Sequence, residues 1–177
     1  MPGTFPTSPD VDNAYIGTGI LYFSFDDITY RDLGEVPNIV LTPEVTTKEQ
    51  KSSRGGVKST WIKRVTEIKK TVNFDMLEIT PENLAFFAMS DLDTDSDGNV
   101  VLLGLSETSI DGYIRFVGDN DVGQRITWEG KVQFTPAGDF NILEEGDDFA
   151  KISVSAAVLA HEDDGSYGRW TVRGVGG

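Results

Sequence analysis

The sequence predicts a mainly β fold carrying one helix, and three observations lead there. Apolar and polar residues alternate with a period of two in segment after segment. Clusters of Gly, Asn, Asp and Pro separate those segments at short intervals. Only one stretch combines helical spacing with helix-start signals.

Along the chain, the first strand candidates are "GTGILYFSF" and "NIVLTPEV". In "EIKKTVNFDM", Ile68, Val72, Phe74 and Met76 fall on one face. The helix follows in "EITPENLAFFAMS", at about residues 81–90. Thr80 can cap it, Pro81 suits its first position and Glu82 favours its positive end. Leu84, Phe87 and Ala88 then form an i, i+3, i+4 apolar stripe. "NVVLLGL" and "GYIRFVG" are further strands. "QRITWEGKVQF" sets Ile126, Trp128, Val132 and Phe134 opposite Arg125, Thr127, Glu129, Lys131 and Gln133, a half-buried strand or hairpin with one wet face. "KISVSAAV" turns Ile152, Val154, Ala156 and Val158 inward. Trp128, Phe134, Phe74 and Leu84 are the expected core where helix meets sheet. One domain is expected over 13–177, after a flexible arm at 1–12, with a polar loop at about 46–57 and further flexibility in the "DTDSDG" loop and the "GVGG" tail.

Composition narrows function. The 177 residues suffice for one domain with a real core, and 38% apolar content is ordinary for a soluble globular chain. "MPGTFPTSPDVDN" has no basic region leading into an apolar stretch, and the longest apolar runs are far too short to span a bilayer, so neither targeting nor a membrane-spanning segment is expected. Cysteine is absent, which removes disulfides, thiolate nucleophiles and CxxC zinc sites. A net charge of -14 argues against a nucleic-acid binder, which needs cations to displace phosphate counterions. Charge is also segregated. Residues 48–70 hold eight basic residues against Glu49 and Glu67, whereas residues 71–164 hold twenty acids against four bases. Such a chain can set its basic surface against the acidic surface of a second copy. Lys48, Lys51, Arg54 and Lys58 are the candidates for that contact.

No catalytic constellation emerges, and no enzyme is expected. His161, the single histidine, lies in the acidic turn-like "AHEDDGSYG", and no serine sits in a nucleophile motif. The adjacent carboxylates Asp26–Asp27, Glu144–Glu145 and Asp147–Asp148 lie in turn-rich sequence. No phosphate loop is present, and "GTG" at 17–19 leads into a strand pattern. No cofactor is expected. The spacing of Asp93, Asp95 and Asp97 before Gly98 resembles the start of a calcium loop, with apolar Val100 in place. The twelfth position, however, is Gly104 where a bidentate Glu is required, and "NVVLLGL" reads as a strand instead of an exiting helix. The expected state is a solvated acidic turn between helix and strand, with those three carboxylates as weak metal candidates.

The order "YRDLGEVPNIVLTPEVTTKEQKSSRGG", an amphipathic strand region and then "FDMLEITPENLAFFAMS" resembles the major tail tube proteins of long-tailed, siphophage-type bacteriophages. The resemblance is best over residues 15–90. It implies a β-sandwich or half-barrel with a flanking helix. It also implies six copies closing into a ring whose inner strands form one barrel, rings stacking head to tail, and DNA leaving through the tube. Tape measure and other tail proteins would be partners, and the site of action the virion tail, assembled in the host bacterial cytoplasm. The residues agree with such a wall. Strands with one apolar and one polar face suit a packed side and a wet channel, and an acidic channel lets DNA pass without holding it. Glu67, Thr127, Glu129 and Gln133 are the candidates for lining it. A type VI secretion-like tube shares these features. So does a calcium-dependent β-sandwich adhesin or carbohydrate-binding module, which requires a metal at Asp93, Asp95 and Asp97.

Overall fold

A computed structural model of the chain describes residues 17–54, 56, 58–119, 125–135 and 150–173. The expected N-terminal arm and the "GVGG" tail lie outside these residues. Among those described, the order is β1 (Thr18–Ser24), β2 (Arg31–Asp32), β3 (Asn38–Ser52), β4 (Ser59–Met76), α1 (Pro81–Ala88), β5 (Leu92–Thr94), β6 (Val100–Leu102), β7 (Ile110–Asp119), β8 (Arg125–Phe134), β9 (Ile152–Val158) and β10 (Arg169–Arg173). The described residues are mainly β, with one short helix.

Eight strands make one antiparallel sheet in the order β2-β1-β7-β8-β9-β4-β3, with β10 also on β8. "QRITWEGKVQF" is thus a single strand, not a hairpin. Its first half pairs with β10, Trp128 opposite Trp170, and its second half pairs with β9, Phe134 opposite Ala156. The sheet curls into a half-barrel: Gly19 of β1 and Leu41 of β3, from opposite sides of the strand order, line one cavity of about 320 Å³ together with Trp128 and Phe116.

The alternating residues pack the concave side. Phe23, Val72, Phe74, Met76, Ile114, Trp128, Val132, Phe134, Ile152, Val154, Ala156 and Val158 are all buried. Phe134 stands at their centre, with ring centroids 5.6 Å from Phe23, 6.2 Å from Phe74 and 5.0 Å from Phe86. Burying such side chains supplies about 1.5–3 kcal/mol each before entropy is charged.

The helix forms where its caps direct. Thr80 is extended and its hydroxyl accepts from the Asn83 N–H, while Met89, left-handed at φ 47, returns its N–H to the Ala85 carbonyl. Its rotation differs from the expected stripe. Asn83, Phe86 and Met89 are buried, Leu84 is only half-buried and Phe87 faces out. The cause is polar: the Asn83 amide donates to the carbonyls of Leu33 (3.1 Å) and Glu78 (2.9 Å) and accepts from Arg31 (2.9 Å), which turns its face inward.

Two loop expectations are also corrected. Residues 46–52, read as polar loop, continue β3, which ends at Ser52, and β4 begins at Ser59. "NVVLLGL" is strand only at Val100–Leu102, which pairs with β5. The "DTDSDG" turn therefore joins two short strands instead of following a helix.

Candidate functional site

The longest element is a hairpin that outruns its own core. β3 and β4, of 15 and 18 residues, pair along their whole length. Burial on β4 ends at Val72, and beyond it the described residues from Thr42 to Lys69 are exposed, apart from half-buried Ser52 and Ile62. At about 3.3 Å per residue this arm extends about 35 Å past the body. Nothing among the described residues covers it.

Its two faces differ because partners across an antiparallel ladder share a face. The face continuous with the core carries Ile39/Phe74 and Leu41/Val72, then, past Pro43/Lys70, Val45/Ile68 and Thr47/Val65. Val45, Ile68 and Val65 are 50–57% exposed, so an apolar stripe of core type leaves the core and enters solvent. Ile68, expected inside, is outside for this reason. The other face carries Thr46/Glu67 and Lys48/Arg64. Lys48 opposite Arg64 is a like-charge pair, which disfavours the free hairpin.

The four contact candidates gather at the arm. Lys48 and Lys51 lie on β3, Arg54 in the turn and Lys58 just before β4, all exposed. Among the described residues none of them forms an ion pair, whereas Lys63 pairs with Glu49 at 3.3 Å and Lys69 with Glu67 at 3.1 Å. Among the described residues β3 is also the sheet's edge, open along all 15 of its residues. Pro43 and the lysines blunt it against indiscriminate pairing. Sequence reading placed a loop here, although between Pro43 and Gly55 no turn residue interrupts the alternation Val45, Thr47, Glu49, Lys51.

The channel candidates Glu67, Thr127, Glu129 and Gln133 share the convex, polar face of the sheet, opposite the buried residues of β4 and β8. Several cations on this face are matched to acids, whereas Arg169 and Arg173 of β10 and Lys48 and Arg64 of the arm share it without an ion pair among the described residues. Arg115 Nε lies 2.7 Å from Glu129 as an ion pair whose N–H is not aimed at the oxygen. Arg125 meets Asp119 at 3.2 Å, Lys151 meets Asp75 at 3.3 Å, and Lys131 pairs with Glu162. Gln133 donates to Asp111 at 2.9 Å. Exposed pairs add little stability, but they neutralise part of this surface.

His161 sits at the rim of this face. Its Nε2 is 3.9 Å from Asp27 and its Nδ1 accepts from the Asp163 N–H. Asp27 in turn accepts from the Tyr30 hydroxyl, whose pKa burial and that carboxylate push well up, and Arg115 lies 3.9 Å over the Tyr30 ring. These contacts fasten loops to strands.

The three metal candidates do not converge. Asp95 spends its carboxylate on the turn itself, accepting from the backbone of Asp97 (2.9 Å) and Asn99 (2.8 Å) and from the Asn99 amide (3.0 Å). Those donors hold its pKa below the usual carboxylate range, the Asn99 side chain foremost. Asp93 accepts from the Thr94 N–H. Among the described residues no group of three carboxylates or histidines is arranged to hold a metal.

Two solved assemblies contain chains of similar course. One is the tail of an empty GTA particle refined with C6 symmetry, at 11% identity over 81% of this chain and 92% of that one, TM-score 0.45. The other is the sheath-tube complex of an extracellular contractile injection system, PVC, in its extended state, at 12% identity over 97% of this chain and all of that one, TM-score 0.49. No family model and no curated protein matches the sequence.

Proposed function

We propose that the protein is a tail tube subunit, a structural protein that closes into six-membered rings stacked head to tail around a channel for DNA. The observation that carries this reading is the arm. A lone two-stranded hairpin is marginal in water, and this one exposes an apolar stripe on one face and a like-charge pair on the other. Both features are relieved by a second copy whose remainder is acidic. The basic tip and the acidic body are different surfaces, so the contact is heterologous and propagates. Lys48, Lys51, Arg54 and Lys58 take part in it.

The convex face forms the channel wall, with Glu67, Thr127, Glu129 and Gln133 toward the lumen. Arg115, Arg125, Lys131 and Lys151 are matched there by acids, which leaves DNA phosphates fewer free cations to exchange for their counterions, Arg169 and Arg173 being the unpaired ones on the body. Ring closure pairs the open edge of β3 with a neighbour. The place of action is the tail of a virion or related particle, with tape measure and other tail proteins as partners.

Sedimentation and negative-stain microscopy of the purified chain test this reading. Tubes are expected from the unaltered chain, and the Lys48→Glu, Lys51→Glu, Arg54→Glu, Lys58→Glu variant should be folded yet slow or unable to extend. A chain that stays monomeric at every concentration contradicts the reading.

A further inference from the structure

The arm carries one large aromatic side chain that the hairpin itself sets outward. Gln50 faces Ile62 and Lys51 faces Thr60, so Trp61 is the extra residue of a β-bulge, and it is 69% exposed. Bulges re-aim side chains. Lys51, Arg54, Lys58 and Arg64 share this end of the hairpin with it, none ion-paired among the described residues.

The opposite charge and shape lie beside α1. A cavity of about 350 Å³, the size of a small-ligand pocket, is walled by Phe25, Phe86, Leu92 and Ile110. Glu82, Asp91 and Glu107 rim it, all exposed. Its one basic lining residue, Arg31, is already engaged, donating to Asn83 and lying over the Phe86 ring. The surrounding surface is unusually apolar: Phe25, Leu92, Leu103 and Leu105 are 47–72% exposed. Leu105 holds a left-handed φ of 60, a conformation that costs a branched side chain energy.

Tip and cavity lie at opposite ends of one strand. β4 begins at Ser59 in the tip and ends at Met76, four residues before the Thr80 cap. Eighteen residues put about 60 Å between them, so the tip does not meet the cavity of its own chain.

We infer that Trp61 of one copy seats in the acid-rimmed cavity beside α1 of the next, its basic neighbours meeting Glu82, Asp91 and Glu107. A central aromatic anchor in an apolar pocket with a charged rim is the arrangement in which one side chain dominates an interface. The inference rests on the tube reading and specifies its longitudinal contact.

The test uses the full chain in four altered forms. Trp61→Ala, at an exposed site, should keep the circular dichroism of the unaltered chain and raise the critical concentration for tube growth on the order of thirtyfold. Because the chain has no cysteine, Thr60→Cys with Ala85→Cys gives a clean cross-link, expected as a ladder of covalent oligomers on a non-reducing gel after mild oxidation. Reversing the rim (Glu82→Lys, Asp91→Lys, Glu107→Lys) should block growth, and adding Lys51→Glu, Arg54→Glu and Lys58→Glu to the same chain should restore it. Normal tubes from Trp61→Ala without any ladder overturn the inference, give the cavity to another partner and leave the tube reading standing. An unaltered chain that never assembles removes both.

Discussion

Gly112 stands where the Phe23 ring needs space. A Cβ built there meets that ring at 2.4 Å and the Ser24 carbonyl at 2.6 Å, and at Gly19 it meets the Phe116 ring at 2.6 Å. In each case an aromatic ring covers a glycine in the sheet. Gly112→Ala should therefore cost about 1–3 kcal/mol, read as a lower urea midpoint at unchanged slope. Asn83→Ala should cost about 1–3 kcal/mol by stranding the buried carbonyl of Leu33 and the part-buried carbonyl of Glu78. Acid acts through Asp26. Its carboxylate accepts from the N–H groups of Thr29 and Ile28 and from the Ser24 hydroxyl, in that order of effect, and its pKa falls from 3.8 to about 2. Because the folded value lies below the unfolded one, this contribution is complete above about pH 4 and is lost as pH falls toward 2. Urea midpoints measured from pH 5 to 2 should fall less steeply for Asp26→Asn than for the unaltered chain; equal slopes contradict the assignment.

Among the elements, the β3–β4 arm and the body differ in how firmly they are held. Amides of β7 and β8 are paired on both sides and cover the core, whereas the outer half of the arm has only its two strands. Hydrogen exchange of the unassembled chain should show residues 44–69 exchanging far faster than 110–118 and 126–134, and assembly should protect them. Uniformly slow exchange in the monomer denies that the arm needs a partner. This contrast explains what the sequence disclosed. Where strands cover a core, the alternation was legible: Val72, Phe74 and Met76 in β4, Trp128, Val132 and Phe134 in β8, and all four residues named in β9 are buried. Beyond the core the same pattern lost its meaning, because Lys, Glu and Gln on both faces of residues 46–52 read as loop while the ladder continued. The helix start was legible from Thr80 and Pro81, but its rotation was not. That depends on the carbonyls of Leu33 and Glu78, which Asn83 finds only after folding.

For the whole molecule, segregated charge was visible in composition and became geometry in the fold. Lys48, Lys51, Arg54 and Lys58 stand at one extremity and the acidic rim near α1 at the other, while Glu67, Thr127, Glu129 and Gln133 share the convex face. The cavity remained hidden, since Phe25 and Ile110 are distant in sequence from Phe86 and Leu92. Association driven by such exposed charges should weaken with salt, so the critical concentration should rise between about 0.05 and 0.5 M salt. A salt-independent value points to the apolar stripe alone. The most direct measurement of the central claim is a cryo-electron reconstruction of what the purified chain assembles into. The account predicts stacked six-membered rings in which residues 44–69 are buried between copies and the convex sheet face lines an open channel. A monomer at every concentration, or an assembly that leaves the arms in solvent and turns that face outward, contradicts it.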